Sequence, residues 1–259
     1  MASHELKLNC DKTHVPLLMS DESRRAKRNF HIHLNTQKEI IYPTKSEKLL
    51  GGIVGQNLKF TEHIRDNEDS MVKIINNGLN ALKKVGRVAS FKTRKMVANG
   101  VILSRLVYLI QWWSGCENYL LKALQVIQNK AARIVTKRGR RTPVKILLNQ
   151  CGWLSVAQLS VYHSLMLVYK ILSTQSPHYL YTQLSSVSDV PYSMRSAADK
   201  YKIRLGQESQ AEFGLARTSF KYRASAEWNQ LPQDIRRAET LKVFKNKLNK
   251  WVAANIPIS

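Results

Sequence analysis

The rhythm of apolar and polar positions changes twice along this chain. Up to about residue 60 the apolar runs are short: VPLLM (15–19), NFHIHL (29–34), KEIIY (38–42) and KLLGGIV (48–54). Charged or proline-containing stretches separate them, a pattern that predicts four short strands joined as hairpins. ESRRAKR (22–28) reads as an exposed basic turn between two of these strands. From Thr61 the period becomes helical, with Met71, Ile74, Ile75, Leu79, Leu82 and Val85 three and four apart and most polar residues off that stripe.

A second helix is expected from Lys92 to Trp113. A third, from Asn118 to Lys137, is the clearest amphipathic element. Leu120, Leu124, Ile127, Ala131, Ile134 and Val135 gather on one face, and Lys122, Asn129, Lys130, Arg133 and Lys137 on the other. KRGRR (137–141) extends that charge into a glycine-containing turn, and Pro143 suits the first turn of a short helix reaching Leu148. After Gly152 the pattern changes again. Val156 to Leu172 is apolar nearly all round, as a helix enclosed by neighbours would be. A Ser-, Pro- and Tyr-rich stretch from 173 to 200 predicts a long loop, and helices at 220–230 and 241–253 follow. The expected fold is therefore α+β and mostly helical, in three parts: a β-hairpin region (1–60), a basic helical region (61–152) and a C-terminal helical region (153–259).

Charge adds a functional direction. The chain has 41 basic and 18 acidic residues, far beyond what solubility needs. The excess is concentrated: 17 basic residues stand against 5 acidic in 61–152, compared with 10 against 6 in 1–60 and 14 against 7 in 153–259. From Ser70 to Gly152 the single acid is Glu117, so pairing within the segment cannot neutralise its cations. A basic solvated surface is the plainer explanation, but a run crossing several helices favours a polyanionic partner.

Other chemistries find little footing. Cys10, Cys116 and Cys151 are odd in number and widely spaced, which supports neither a disulfide scaffold nor a zinc knuckle and fits an intracellular compartment, nucleus or cytoplasm. His31 and His33 would share one face of a strand but lack a third ligand nearby. The apolar stretches 101–113 and 161–172 contain Arg105, His163 and Lys170 and fall short of a bilayer span, so no membrane partner is expected. The polar opening MASHELKLNC is no secretory signal, so secretion is not expected either. No Walker loop, GxSxG elbow or HExxH motif occurs. The five tryptophans, Trp112, Trp113, Trp153, Trp228 and Trp251, are expected in cores ahead of any role in stacking on bases.

Several segments in fixed order resemble the reverse transcriptases of non-LTR retrotransposons, most nearly the jockey-like branch. They are LKLNCDKTH (6–14), KLLGGIVGQNLKFTEHI (48–64), SRLVYLIQWW (104–113), LLKALQVIQNKAARIVTK (120–137), CGWLSVAQLSVYHSLMLVYKIL (151–172) and YRASAEWNQLPQDIRRAETLKVFKNKL (222–248). The resemblance covers nearly the whole chain. It implies the end of a palm, a helical thumb and a C-terminal helical region. It implies that Lys12, with Asn9 and Thr13, matches the family's lysine near the incoming nucleotide. It also implies that Leu50, Gly51 and Gly52 form the turn of a hairpin that grips the primer.

Polymerisation needs two divalent ions held by carboxylates, and the chain contains no Asp-Asp pair. Only five residues precede Leu6, so the catalytic pair of the family is expected to fall outside this sequence. The expected function is that of a reverse-transcriptase remnant that binds the backbone of RNA or an RNA–DNA duplex without catalysis or cofactor. Mg2+ would be expected only for an intact polymerase. The expected contacts are Lys83, Lys84, Arg87, Lys92, Arg94 and Lys95 on the first two thumb helices, and Lys122, Lys130, Arg133 and Lys137 on the third. Two alternatives stand beside this: an active polymerase whose palm lies upstream or on a separate chain, and a protein-interaction fragment whose charge is incidental.

Overall fold

The computed structural model describes residues 13–14, 32–34, 39–184, 203 and 219–258. They fall into two compact units, Met1–Ile74 and Ile75–Ser259. Among the described residues the protein is mostly helical, with two small antiparallel sheets. The strand expected at 15–19, the turn at 22–28, and Asn9, Lys12 and His31 lie outside the described residues.

In the first unit β1 (Ile32–Leu34) pairs with β2 (Glu39–Ile41), with His33 opposite Ile40. The run read as a single strand over 48–54 is instead a hairpin. β3 (Ser46–Leu49) turns back into β4 (Gly52–Gly55), with Leu49 opposite Gly52. Two successive positive φ angles, 48° at Leu50 and 81° at Gly51, reverse the chain in two residues. That is the turn whose twist matches paired strands, and glycine supplies its second position without steric cost. Ile53 of β4 is buried, and its N–H donates to Nδ1 of the buried His63 at 3.3 Å. His63 lies in a π-helical turn, Glu62–Asp66. Burial lowers its pKa from 6.5 to about 4, so the ring is neutral and Nδ1 can accept.

Helix α1 (Met71–Gly86) follows, with Met71, Ile75, Leu79 and Leu82 buried as the stripe predicts. The helix expected from Lys92 to Trp113 is broken. α2 (Phe91–Ala98) runs into a π-helical turn (Asn99–Leu103) and a short α3 (Ser104–Val107). The chain then leaves helical geometry at Tyr108 and passes through a left-handed Leu109 before α4 (Ile110–Trp113). The break releases the carbonyl of Tyr108, which accepts the indole N–H of the fully buried Trp113 at 2.9 Å. A buried indole needs such an acceptor.

α5 (Asn118–Thr136) and α6 (Val144–Cys151) match their expected positions to within a turn. α7 (Val156–Thr174) starts with a capping box: Ser155 accepts from Gln158 N–H, and the Gln158 side chain accepts from Ser155 N–H. The loop expected from 173 opens with α8 (His178–Gln183), held because Leu180 and Tyr181 pack on the C-terminal core. α9 (Phe220–Gln230), α10 (Gln233–Arg236) and α11 (Leu241–Asn255) complete the described chain, α10 being an addition to the expected elements.

Residues on either side of 152 pack within the second unit, joined by Gln125 and Gln128, and Gln158 ties α7 to the end of the chain's last helix. Gln125 accepts from Val156 N–H at 2.8 Å, Gln128 donates to Leu154 O at 2.8 Å, and Gln158 donates to Ile256 O at 2.9 Å. Each amide closes a backbone group that burial would otherwise strand. The core around α7, α9 and α11 centres on Tyr169, Trp228 and Phe244, with Tyr169 stacked on Phe244 at 4.2 Å between ring centres. At its edge Glu227 Oε2 is buried with no hydrogen-bond partner among the described residues. Burial drives that carboxyl up from 4.5 to about 7, against the opposing pull of Arg223.

Candidate nucleic-acid interface

Sixteen basic residues and one acidic residue lie between Ser70 and Gly152, and thirteen of the sixteen are exposed. Among the described residues none of the thirteen forms an ion pair. Lys83, Lys84 and Arg87 stand exposed at the C-terminal end of α1 and just beyond it. Lys92 is exposed in the first turn of α2, whose N-cap is Ser90 accepting from Thr93 N–H. Lys95 is half-buried. It lies close enough to Cys151 to oppose the upward push of burial, which takes that thiol to about 11.

Arg94 departs from the expected set. Only 6% of it is exposed, and its guanidinium is committed to the protein. Nε donates to Val135 O at 2.8 Å and Nη1 to Ala89 O at 2.5 Å. Val135 is in the last turn of α5, where carbonyls lack helical partners, and Ala89 is in the turn between α1 and α2. With so little of it exposed and two of its N–H groups turned inward to these carbonyls, Arg94 is a structural cation, and this residue leaves the contact set.

On α5, Lys122 and Lys130 are exposed on one face. Arg133 is half-buried and its Nη2 donates to Arg140 O at 3.5 Å. Lys137 takes the left-handed position that ends the helix. Arg138, Arg140 and Arg141 follow, all exposed, in a turn closed by Thr142 N–H donating to Gly139 O at 3.2 Å. These three arginines belong with the basic surface although the expected set stopped at Lys137, and KRGRR itself was the signal. Trp113, Trp153 and Trp228 are buried, and Trp251 packs against the C-terminal core, so these four lie in cores rather than on the basic surface.

In the first unit, Leu50 and Gly51 form the hairpin tip and Gly52 begins β4. Leu50 is 81% exposed and Leu49 65% exposed. Lys48 is paired with Asp69 at 2.8 Å, a hydrogen bond that holds the Asp69 carboxyl below its ordinary value. Among the described residues no three His, Cys, Asp or Glu side chains group as a metal site would require, and no single helix is long and apolar enough to cross a membrane. No family model matches the chain, and no curated protein or solved structure matches it.

Proposed function

We propose that this protein holds the sugar–phosphate backbone of an RNA or RNA–DNA duplex, as the thumb and primer grip of a non-LTR retrotransposon reverse transcriptase would. One observation carries the proposal: thirteen exposed cations between Ser70 and Gly152, none paired with an acid among the described residues. Unpaired cations repel one another, and a polyanion relieves that repulsion while releasing its own counterions. The hairpin tip adds support. An exposed leucine in left-handed backbone costs about 1–2 kcal/mol relative to glycine. A primer-grip role for Leu50 gives it a use. The sequence supplies the holding surface, and it has no Asp-Asp pair for the metal ions of polymerisation.

Titration of the full chain with a fluorescent duplex over a range of salt tests this reading. With some four to six phosphates neutralised, log K should fall against log salt with a slope of roughly −3 to −5. The triple change K83E, K84E and R87E should weaken binding equally for unrelated sequences, because phosphates carry no sequence information. Absence of binding at about 50 mM salt would reject the proposal and favour a protein-interaction role for the same surface.

A further inference from the structure

Burial of Arg94 joins two basic turns that lie far apart in sequence. Its planar guanidinium spans from Ala89 O in the α1–α2 turn to Val135 O at the end of α5. A lysine ammonium is a single point and cannot reproduce a fork that addresses two acceptors from Nε and Nη1. A second contact reinforces the junction. Gly86 at the end of α1 is buried, and a Cβ there would stand 3.0 Å from Ile134 Cγ2 of α5, tighter than side chains ordinarily pack. The α1–α2 turn is thereby seated on the last turn of α5.

Each turn carries cations that are exposed and have no ion-pair partner among the described residues. Arg87 and Lys92 flank the first, and Lys137, Arg138, Arg140 and Arg141 form the second. The second is braced from inside by Arg133 donating to Arg140 O and by Thr142 N–H donating to Gly139 O. Three of its four cations are arginines, the side chain whose fork matches phosphate oxygens in pairs. Bringing six like charges to one end of a helical unit opposes folding by self-repulsion. The fold nevertheless fastens them there.

We propose that the α1–α2 and α5–α6 turns form one clamp for a duplex backbone, with Arg87, Lys92, Arg138, Arg140 and Arg141 on phosphates and Arg94 as the positioning residue that holds the turns together. The inference rests on the nucleic-acid reading above and adds to it three phosphate-binding arginines, a location and a coupling.

The test measures binding of an RNA–DNA hybrid duplex to the full chain over a salt series. Replacing the three exposed arginines together (R138Q, R140Q and R141Q) should make the salt slope shallower by roughly 3, about one for each phosphate no longer neutralised. An unchanged slope, with the unaltered chain still binding, would overturn the clamp and leave the nucleic-acid reading standing. Failure of the unaltered chain to bind would overturn both. Coupling is read separately from R87E, R140E and their combination. The two effects should be non-additive when the turns share one backbone, and should become additive in R94K, which keeps the charge and loses the fork. R94K is assayed at a temperature where circular dichroism shows it folded. Equal coupling in both backgrounds would refute the positioning role. Were R94K unfolded throughout, additivity of R87E and R140E in the unaltered background would by itself refute the shared clamp.

Discussion

Replacing Arg94 by methionine tests the central structural reading, since methionine keeps much of the apolar stem and removes the guanidinium. Two hydrogen bonds from a charged donor disappear, at 2.8 Å and 2.5 Å. Each is worth roughly 1.5–3 kcal/mol when the donor is ionised, so their sum has an upper bound of about 6 kcal/mol. Relief of the cost of keeping a guanidinium out of water offsets part of this, because the residue is only 6% exposed. The carbonyls of Val135 and Ala89 remain and lose their donor, so the change should not be neutral in the way that replacing both partners can be. The net expectation is a loss of about 2–4 kcal/mol. Urea unfolding followed by circular dichroism should show a lower midpoint with an unchanged slope, the sign of altered stability without altered compactness. A shift below about 0.5 kcal/mol would mean that the two carbonyls are satisfied without Arg94, and the account of the joined turns would fail with it.

Two further outcomes are expected. Glu227 has a folded-state pKa near 7 against 4.5 when exposed, so the unfolded chain loses its proton first as pH rises. Native stability therefore falls between about pH 4.5 and 7, by about 3 kcal/mol in total. Comparison with Glu227→Gln isolates this effect. The stability difference between the two proteins should grow over that window and level off above it, and a difference constant from pH 4 to 8 would contradict the buried carboxyl. At the hairpin tip, Leu50→Asn places a residue tolerant of φ 48° in the turn. Hairpin amides should exchange roughly 2–5 times more slowly, corresponding to about 0.5–1 kcal/mol. If this variant also bound duplex with unchanged affinity, Leu50 would have no part in gripping a primer.

Helix α5 was legible because its apolar stripe and its cations separate cleanly by face, and α9 and α11 fall within two residues of the helices expected at 220–230 and 241–253. The break before α4 was not legible. Residues 101–113 are apolar on both sides of Tyr108, and nothing in that pattern announces that the Tyr108 carbonyl leaves the helix and accepts the buried Trp113 indole N–H. Gln125 and Gln128 carry no signal of burial either, since the backbone groups they bond come from beyond residue 152. Arg94 is the plainest case. In sequence it stands among Lys92, Lys95 and Arg87 with nothing to set it apart, and the carbonyl that claims it is 41 residues away.

Composition located the basic surface, but the structure separates cations that folding favours from those it does not. Lys83, Lys84 and Arg87 cluster about the C-terminal end of α1, and Arg133 and Lys137 about that of α5, where the helix dipole favours positive charge by about 0.3–1 kcal/mol each. A purely structural account covers these five. It does not cover Lys92 or Lys145, which occupy the first turns of α2 and α6, where no acid balances them and the dipole disfavours a cation. Nor does it cover Arg140 and Arg141, which lie beyond the last turn of α5, where the dipole has fallen away. A helix start with a lysine beside its free N–H groups is poor for stability and good for receiving a phosphate oxygen. Lys92, Lys145, Arg140 and Arg141 lie at or beside the α1–α2 and α5–α6 turns, whereas Lys73, in the first turn of α1, stands apart from them, so the clamp variants, and not the charge count, decide between a binding surface and incidental charge.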